Sequence, residues 1–135
     1  MSELDEFASQ LMRAVRDRAV SACDALIAGG IAGPQGDNWR RLGESAGEVL
    51  QALVPDVIDQ VLFELLAAVD SGELPIAWRD PTGVLRDLED LGGAEMAGWL
   101  MMGAGGWRDR HSSQRFNDYS AGLRLDFDWN SDSDS

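Results

Sequence analysis

Apolar residues recur at spacings of three and four through most of the chain, a period that predicts a mainly helical protein. Over 3–28, Leu4, Phe7, Leu11, Val15, Ala22, Leu26 and Ile27 form one stripe, with Arg13, Arg16, Asp17 and Asp24 between them as the solvated side. Ser2 is placed to cap this helix, and Glu3, Asp5 and Glu6 suit the positive end of its dipole. Gly29-Gly30 ends it, and the glycines and proline of GGIAGPQGDN predict a loop. A second helix is expected over 38–53, with Trp39, Leu42, Ala46, Val49, Leu50 and Leu53 on one side. Gly43 and Gly47 each weaken it by roughly 1 kcal/mol relative to alanine, which a close crossing by another helix would explain. Pro55 suits the first turn of a third helix over 55–70. Its broad apolar face, Val57, Ile58, Val61, Leu62, Leu65, Leu66 and Val69, marks it as the central core helix.

After Gly72 the period changes. Leu74 to Trp78 and Val84 to Leu88 flank the turn-rich RDPTG, the pattern of a β-hairpin. Short helices are expected over 94–102 and 113–121. Leu123, Leu125, Phe127 and Trp129 then alternate with charged residues, as on a half-buried strand. The fold class is therefore α+β and mainly helical. Four to five helices pack with a small antiparallel hairpin, or with a three-stranded sheet, from residues 74–88 and 123–129. One globular domain is expected over 1–130, with 131–135 a polar, disordered tail.

Charge narrows the function. Twenty-four carboxylates face eleven cations, a formal net charge of −13. That field repels nucleic-acid phosphates and anionic membrane surfaces and attracts a basic protein. Every cation outside the lone histidine is arginine. Without lysine there is no Schiff base, no pyridoxal anchor and no phosphate-loop lysine. Cys23 is the only cysteine, so no internal disulfide or thiolate metal cluster forms, and the acidic N-terminus is no secretory signal. A cytoplasmic protein without cofactor or structural metal is the expectation.

Candidate chemistry is sparse. A Cys23–His111 dyad is the one nucleophilic pair the inventory allows, and Cys23 lies by the apolar stripe, where cysteines are inert. Asp126-x-Asp128-x-Asn130 copies the start of a calcium loop, but Ser131 stands where glycine is required. Gly105 and Gly106, followed by Arg108, Arg110 and His111, are the best small-anion site on offer. The alternative function, an anion-binding protein or enzyme, would use this Gly103–His111 loop. Three Trp-Arg pairs, at Trp39, Trp78 and Trp107, match the residues enriched at binding hot spots, with Trp107 the more open case.

The face weighed most is on the third helix. Phe63 falls at the centre of a face formed by Asp56, Asp59, Gln60, Ala67 and Asp70, an aromatic anchor ringed by carboxylates. Asp56, Asp59, Phe63, Asp70 and Trp107 are the expected partner-binding residues. The expected function is a non-catalytic domain, monomer or homodimer, that neutralises or escorts a basic partner such as a toxin or effector. Bacterial immunity proteins and antitoxins share this profile, an analogy of composition rather than of motif. A purely structural homo-oligomer formed through Trp99, Met101 and Met102 is the third reading.

Overall fold

In the computed structural model, which describes residues 2–119, the N-terminal stripe becomes one helical rod in three parts. These are α1 (Glu3–Leu11), a π-helical segment (Met12–Asp17) and α2 (Arg18–Ile27). Ser2 caps α1 as expected, its side chain accepting from the Asp5 N–H at 3.1 Å. The π segment is the first departure. Its i→i+5 bonds widen the helix, so each residue turns through a smaller angle and the inward face changes phase. Phe7, Ala8 and Met12 are buried before and within it, then Arg16, Asp17 and Val20, while Val15 and Ala22 point to solvent. Arg16 and Asp17, expected on the solvated side, are interior for this reason.

The second departure is at Pro55. The two helices expected over 38–53 and 55–70 are instead α3 (Pro34–Arg40) and a 28-residue α4 (Gly43–Asp70) that runs through the proline. Proline inside a helix removes a bond to the carbonyl four residues back and crowds it. Here that carbonyl, on Gln51, accepts from Arg115 Nη2 at 2.7 Å, and the next, on Ala52, accepts from Asn117 Nδ2 at 2.9 Å. Side chains from the far end of the chain thus satisfy what Pro55 leaves open. Gly47 does face a crossing helix, since a Cβ there would stand 3.4 Å from Ile27 of α2. Gly43 has a different reason, a φ of +78° at the start of α4 that favours glycine.

Beyond α4 lie β1 (Ala77–Arg79), β2 (Leu85–Asp87), α5 (Leu88–Gly92), α6 (Met96–Met101) and α7 (Trp107–His111). The strands pair antiparallel with Trp78 opposite Arg86, so the protein is mainly helical with a small two-stranded antiparallel sheet. The possible third strand, 123–129, and the tail lie outside the described residues. The helix expected over 113–121 is not formed at 113–119, which runs as an irregular arm. Ser112, Ser113 and Asn117 spend their side chains on distant partners in α4 and the π segment, the competition that keeps such residues out of helices.

The core joins α1, the C-terminal half of α4, α6 and α7 through Phe7, Met12, Leu62, Leu66, Met96, Leu100 and Trp107. Phe7 sits edge-on to both Trp78 and Trp107, with ring centroids 5.6 and 6.1 Å away. No helix among the described residues is long and apolar enough to cross a membrane. Arg115 ties the arm down twice, through Gln51 and through a two-pronged pair with Asp24 at 2.7 and 2.9 Å. Arg115→Ala is therefore expected to lower stability by about 1 kcal/mol, because the pair and the freed carbonyl both lie near solvent. A smaller urea midpoint at unchanged slope is the check.

Candidate protein-binding site

Asp59 is the hinge of the interior electrostatics. Arg16 grips it with both prongs, Nε at 2.7 Å and Nη2 at 3.1 Å, and Arg108 Nη1 reaches its other side at 2.8 Å. All three side chains are at most 4% exposed. Arg16 spends its remaining bonds on Ser112 Oγ and the Arg115 carbonyl, and Arg108 bonds the Met101 carbonyl through Nη2, while its Nε is buried without a partner among the described residues. Phe116 stacks under the Arg108 guanidinium, 4.6 Å from its ring centre. Beside this cluster Asp17 accepts from Ser112 Oγ at 2.5 Å and from both donors of Ser113. Burial alone would raise the Asp17 pKa; the hydrogen bonds from Ser112 and Ser113 outweigh it and hold the carboxyl below its ordinary value.

This arrangement changes the roles of the residues first expected to bind a partner. Asp59 is buried and neutralised. Asp70 caps α6 across space, accepting from the N–H groups of Met96 and Ala97 at 3.2 and 2.9 Å. Asp56 accepts from Asn117 at 2.9 Å and from the Tyr119 hydroxyl at 2.5 Å, a bond that raises the tyrosine pKa. Phe63 is half-buried and packs against the core, and Trp107 is in the core itself, 1% exposed. The ring of carboxylates round Phe63 exists on the helical wheel, but folding turns it to internal use: the π segment and α7 bring two arginines to Asp59, the C-terminal arm reaches Asp56, and α6 sets its first N–H groups on Asp70.

Nor do the residues of the Gly103–His111 loop converge on an anion pocket. Arg108 is committed to Asp59, and Arg110 pairs with Asp5 at 3.0 Å and lies over the Trp99 ring. His111 Nε2 stands 3.6 Å from that same Asp5 carboxylate, too far for a hydrogen bond. Gly105 donates its N–H to Asp109, and Gly106 is buried where a Cβ would lie 2.3 Å from the Met102 carbonyl oxygen. Its absence of side chain serves packing. Asp56, Asp59 and Arg108 do share the wall of one cleft of about 340 Å³ with Gln60, Met101 and Tyr119.

Among the described residues, the outer side of α4 is left uncovered. Val49, Leu53, Val57, Val61 and Leu65 follow one another at four-residue spacing and are all exposed, Val57 and Val61 to 63% and 65%. At 1.5 Å per residue the ridge is about 24 Å long. Asp56, Gln60 and Glu64 form the adjacent row, with Gln60 donating to Glu64 at 3.1 Å; on the other flank Leu50, Val54 and Ile58 slope into the interior. The face read as the core side of the third helix is thus split. Leu62, Leu66 and Val69 are buried, whereas Val57, Val61 and Leu65 are not. The breadth of that apolar face was the available signal: it is wider than one packing layer covers. No protein-family model, curated protein or solved structure is matched by this chain, so its chemistry is read from its own residues.

Proposed function

We propose that this protein is a binding module that takes up a basic, amphipathic segment of a partner protein along the exposed ridge of α4. The observation that carries the reading is that ridge: five consecutive apolar positions uncovered among the described residues, beside a row containing Asp56 and Glu64. A helix apolar round most of its circumference is built to be buried. Contiguous exposed apolar surface marks an interaction site. A helix laid along another with apolar anchors four apart is a standard mode of peptide recognition. The flanking carboxylates and the net charge of −13 favour a basic partner and speed its approach. Neutralising or escorting a basic toxin or effector is the use that fits this chemistry. In an antiparallel two-fold contact the same acidic row would face itself, which disfavours a second copy in that arrangement.

The test uses the full chain and Val57→Asp/Val61→Asp as paired baits in source-cell lysate, at low and moderate salt. Both positions are exposed, so thermal melts of the two proteins should nearly coincide. A basic protein retained stoichiometrically by the parent, loosened by salt and lost with the variant is the expected result. Its affinity, once measured, should fall at least about tenfold in the variant. Equal retention by both baits would remove α4 as the site. A parent that light scattering finds dimeric, with a monomeric variant, would replace the partner by a second copy.

A further inference from the structure

The arginines among the described residues divide into two groups. Among the described residues Arg16, Arg40, Arg86, Arg108, Arg110 and Arg115 each pair with a carboxylate. Arg13, Arg18, Arg41 and Arg79 have no such partner among the described residues, although the chain carries more than twice as many acids as bases. Three of these four line one groove of about 590 Å³ between the N-terminal rod and the hairpin. Among the described residues Glu6 is the one carboxylate on its walls. Like charges gathered in a concave site repel one another, and a bound anion relieves that repulsion. The volume falls within the roughly 300–1,000 Å³ typical of small-ligand sites.

The groove is also held in shape. Trp78 on its wall donates from Nε1 to Gln10 Oε1 at 2.7 Å and stacks edge-on against Phe7, which fixes the indole plane while leaving it half-exposed. The hairpin turn that carries Arg79 and Pro81 is organised by Asp80. One oxygen accepts from the Thr82 hydroxyl at 2.6 Å and from the Thr82 and Val84 N–H groups, the other from Arg86 Nε at 3.0 Å. The Thr82 hydroxyl and these further donors depress the Asp80 carboxyl to about 2, so the turn keeps its charge-locked form at any neutral pH. Arg13 uses Nε on Ser9 and Arg79 uses Nη1 on Gly83, leaving further donors of both guanidiniums for a ligand.

We propose that this groove binds a small organic polyanion, its phosphate or carboxylate groups held by Arg13, Arg18 and Arg79 and its ring or chain laid against Trp78. The site is separate from the α4 ridge and does not depend on the partner-binding reading. Guanidinium forks suit phosphate and carboxylate alike, and three probes separate the two sources: pyrophosphate, ADP and citrate. Each is titrated into the full chain by calorimetry, with tryptophan fluorescence as a second readout. At least one probe should bind, more weakly as salt rises. Binding should fall tenfold or more in Arg13→Ala/Arg79→Ala and stay unchanged in Val57→Asp/Val61→Asp. Preference for ADP over pyrophosphate assigns a phosphate with a stacked ring; preference for citrate assigns a polycarboxylate. No binding of any probe at millimolar concentration, or equal binding by the arginine double variant, would overturn the proposal.

Discussion

Asp59→Ala is expected to destabilise the protein by about 3–5 kcal/mol, the cost of leaving a buried charge without its counter-ion. Here the exposure to that cost is double, because one carboxylate serves two guanidiniums, Arg16 and Arg108, both almost wholly buried. Removing it leaves two like charges close together with only neutral acceptors, Ser112 Oγ and the carbonyls of Arg115 and Met101. Total stabilities of domains this size are about 5–15 kcal/mol, so the variant should be near the edge of folding. Urea unfolding followed by circular dichroism measures the loss. A change below about 1 kcal/mol would mean that water reaches the cluster. An unchanged midpoint together with weakened partner binding would restore Asp59 to the surface role its position on the helical wheel first suggested.

That ambiguity shows what sequence patterns carry. Where a helix followed its 3.6-residue period, the pattern was sufficient: the Ser2 cap, the stop at Gly29, the hairpin around RDPTG and the short helix near 96–101 are all present. The two long-range departures come from events the period does not encode. The π segment advances the rod's inward face, and the hint of it is Arg18, which interrupts the three-and-four spacing of the apolar row between Val15 and Ala22. Helix α4 runs through Pro55 with Arg115, sixty residues away, donating to the Gln51 carbonyl that the proline leaves without its helical donor, and Asn117 donating to the neighbouring Ala52 carbonyl. Local propensity at Pro55 says stop, and tertiary contact overrides it.

The candidate sites divide along the same line. Net charge favours a basic partner in principle but names no face of the molecule. Position on a wheel could not say which carboxylates face inward, since that depends on which arginines the rest of the chain delivers. Asp56, Asp59 and Asp70 are each occupied by groups from another element. The ridge Val49–Leu65 is legible only as excess apolar breadth, which by itself reads as core because large apolar residues are usually buried. The arginine groove was not legible at all: Arg13 and Arg18 lie about sixty residues from Arg79 in sequence, and only the packing of hairpin against rod unites them.

Trp107→Ala separates a core role from an interface role at the other residue whose reading changed, and it should cost about 3–5 kcal/mol. The indole is 1% exposed and meets Phe7 edge-on at an interplanar angle of 74°, so truncation opens a void where α1, α6 and α7 meet. The preceding Gly106 leaves the α7 backbone little room to collapse inward, because the Met102 carbonyl already abuts it. Trp107→Phe keeps most of the ring volume and should lose distinctly less. An interface anchor would behave in the opposite way: both variants would melt like the parent and differ in partner affinity. Because Arg108 follows Trp107 directly on α7, a void there also loosens the grip on Asp59. Native-state hydrogen exchange should then show α7 and the arm beyond it opening together, whereas protection lost in α7 alone would separate the aromatic core from the ionic cluster.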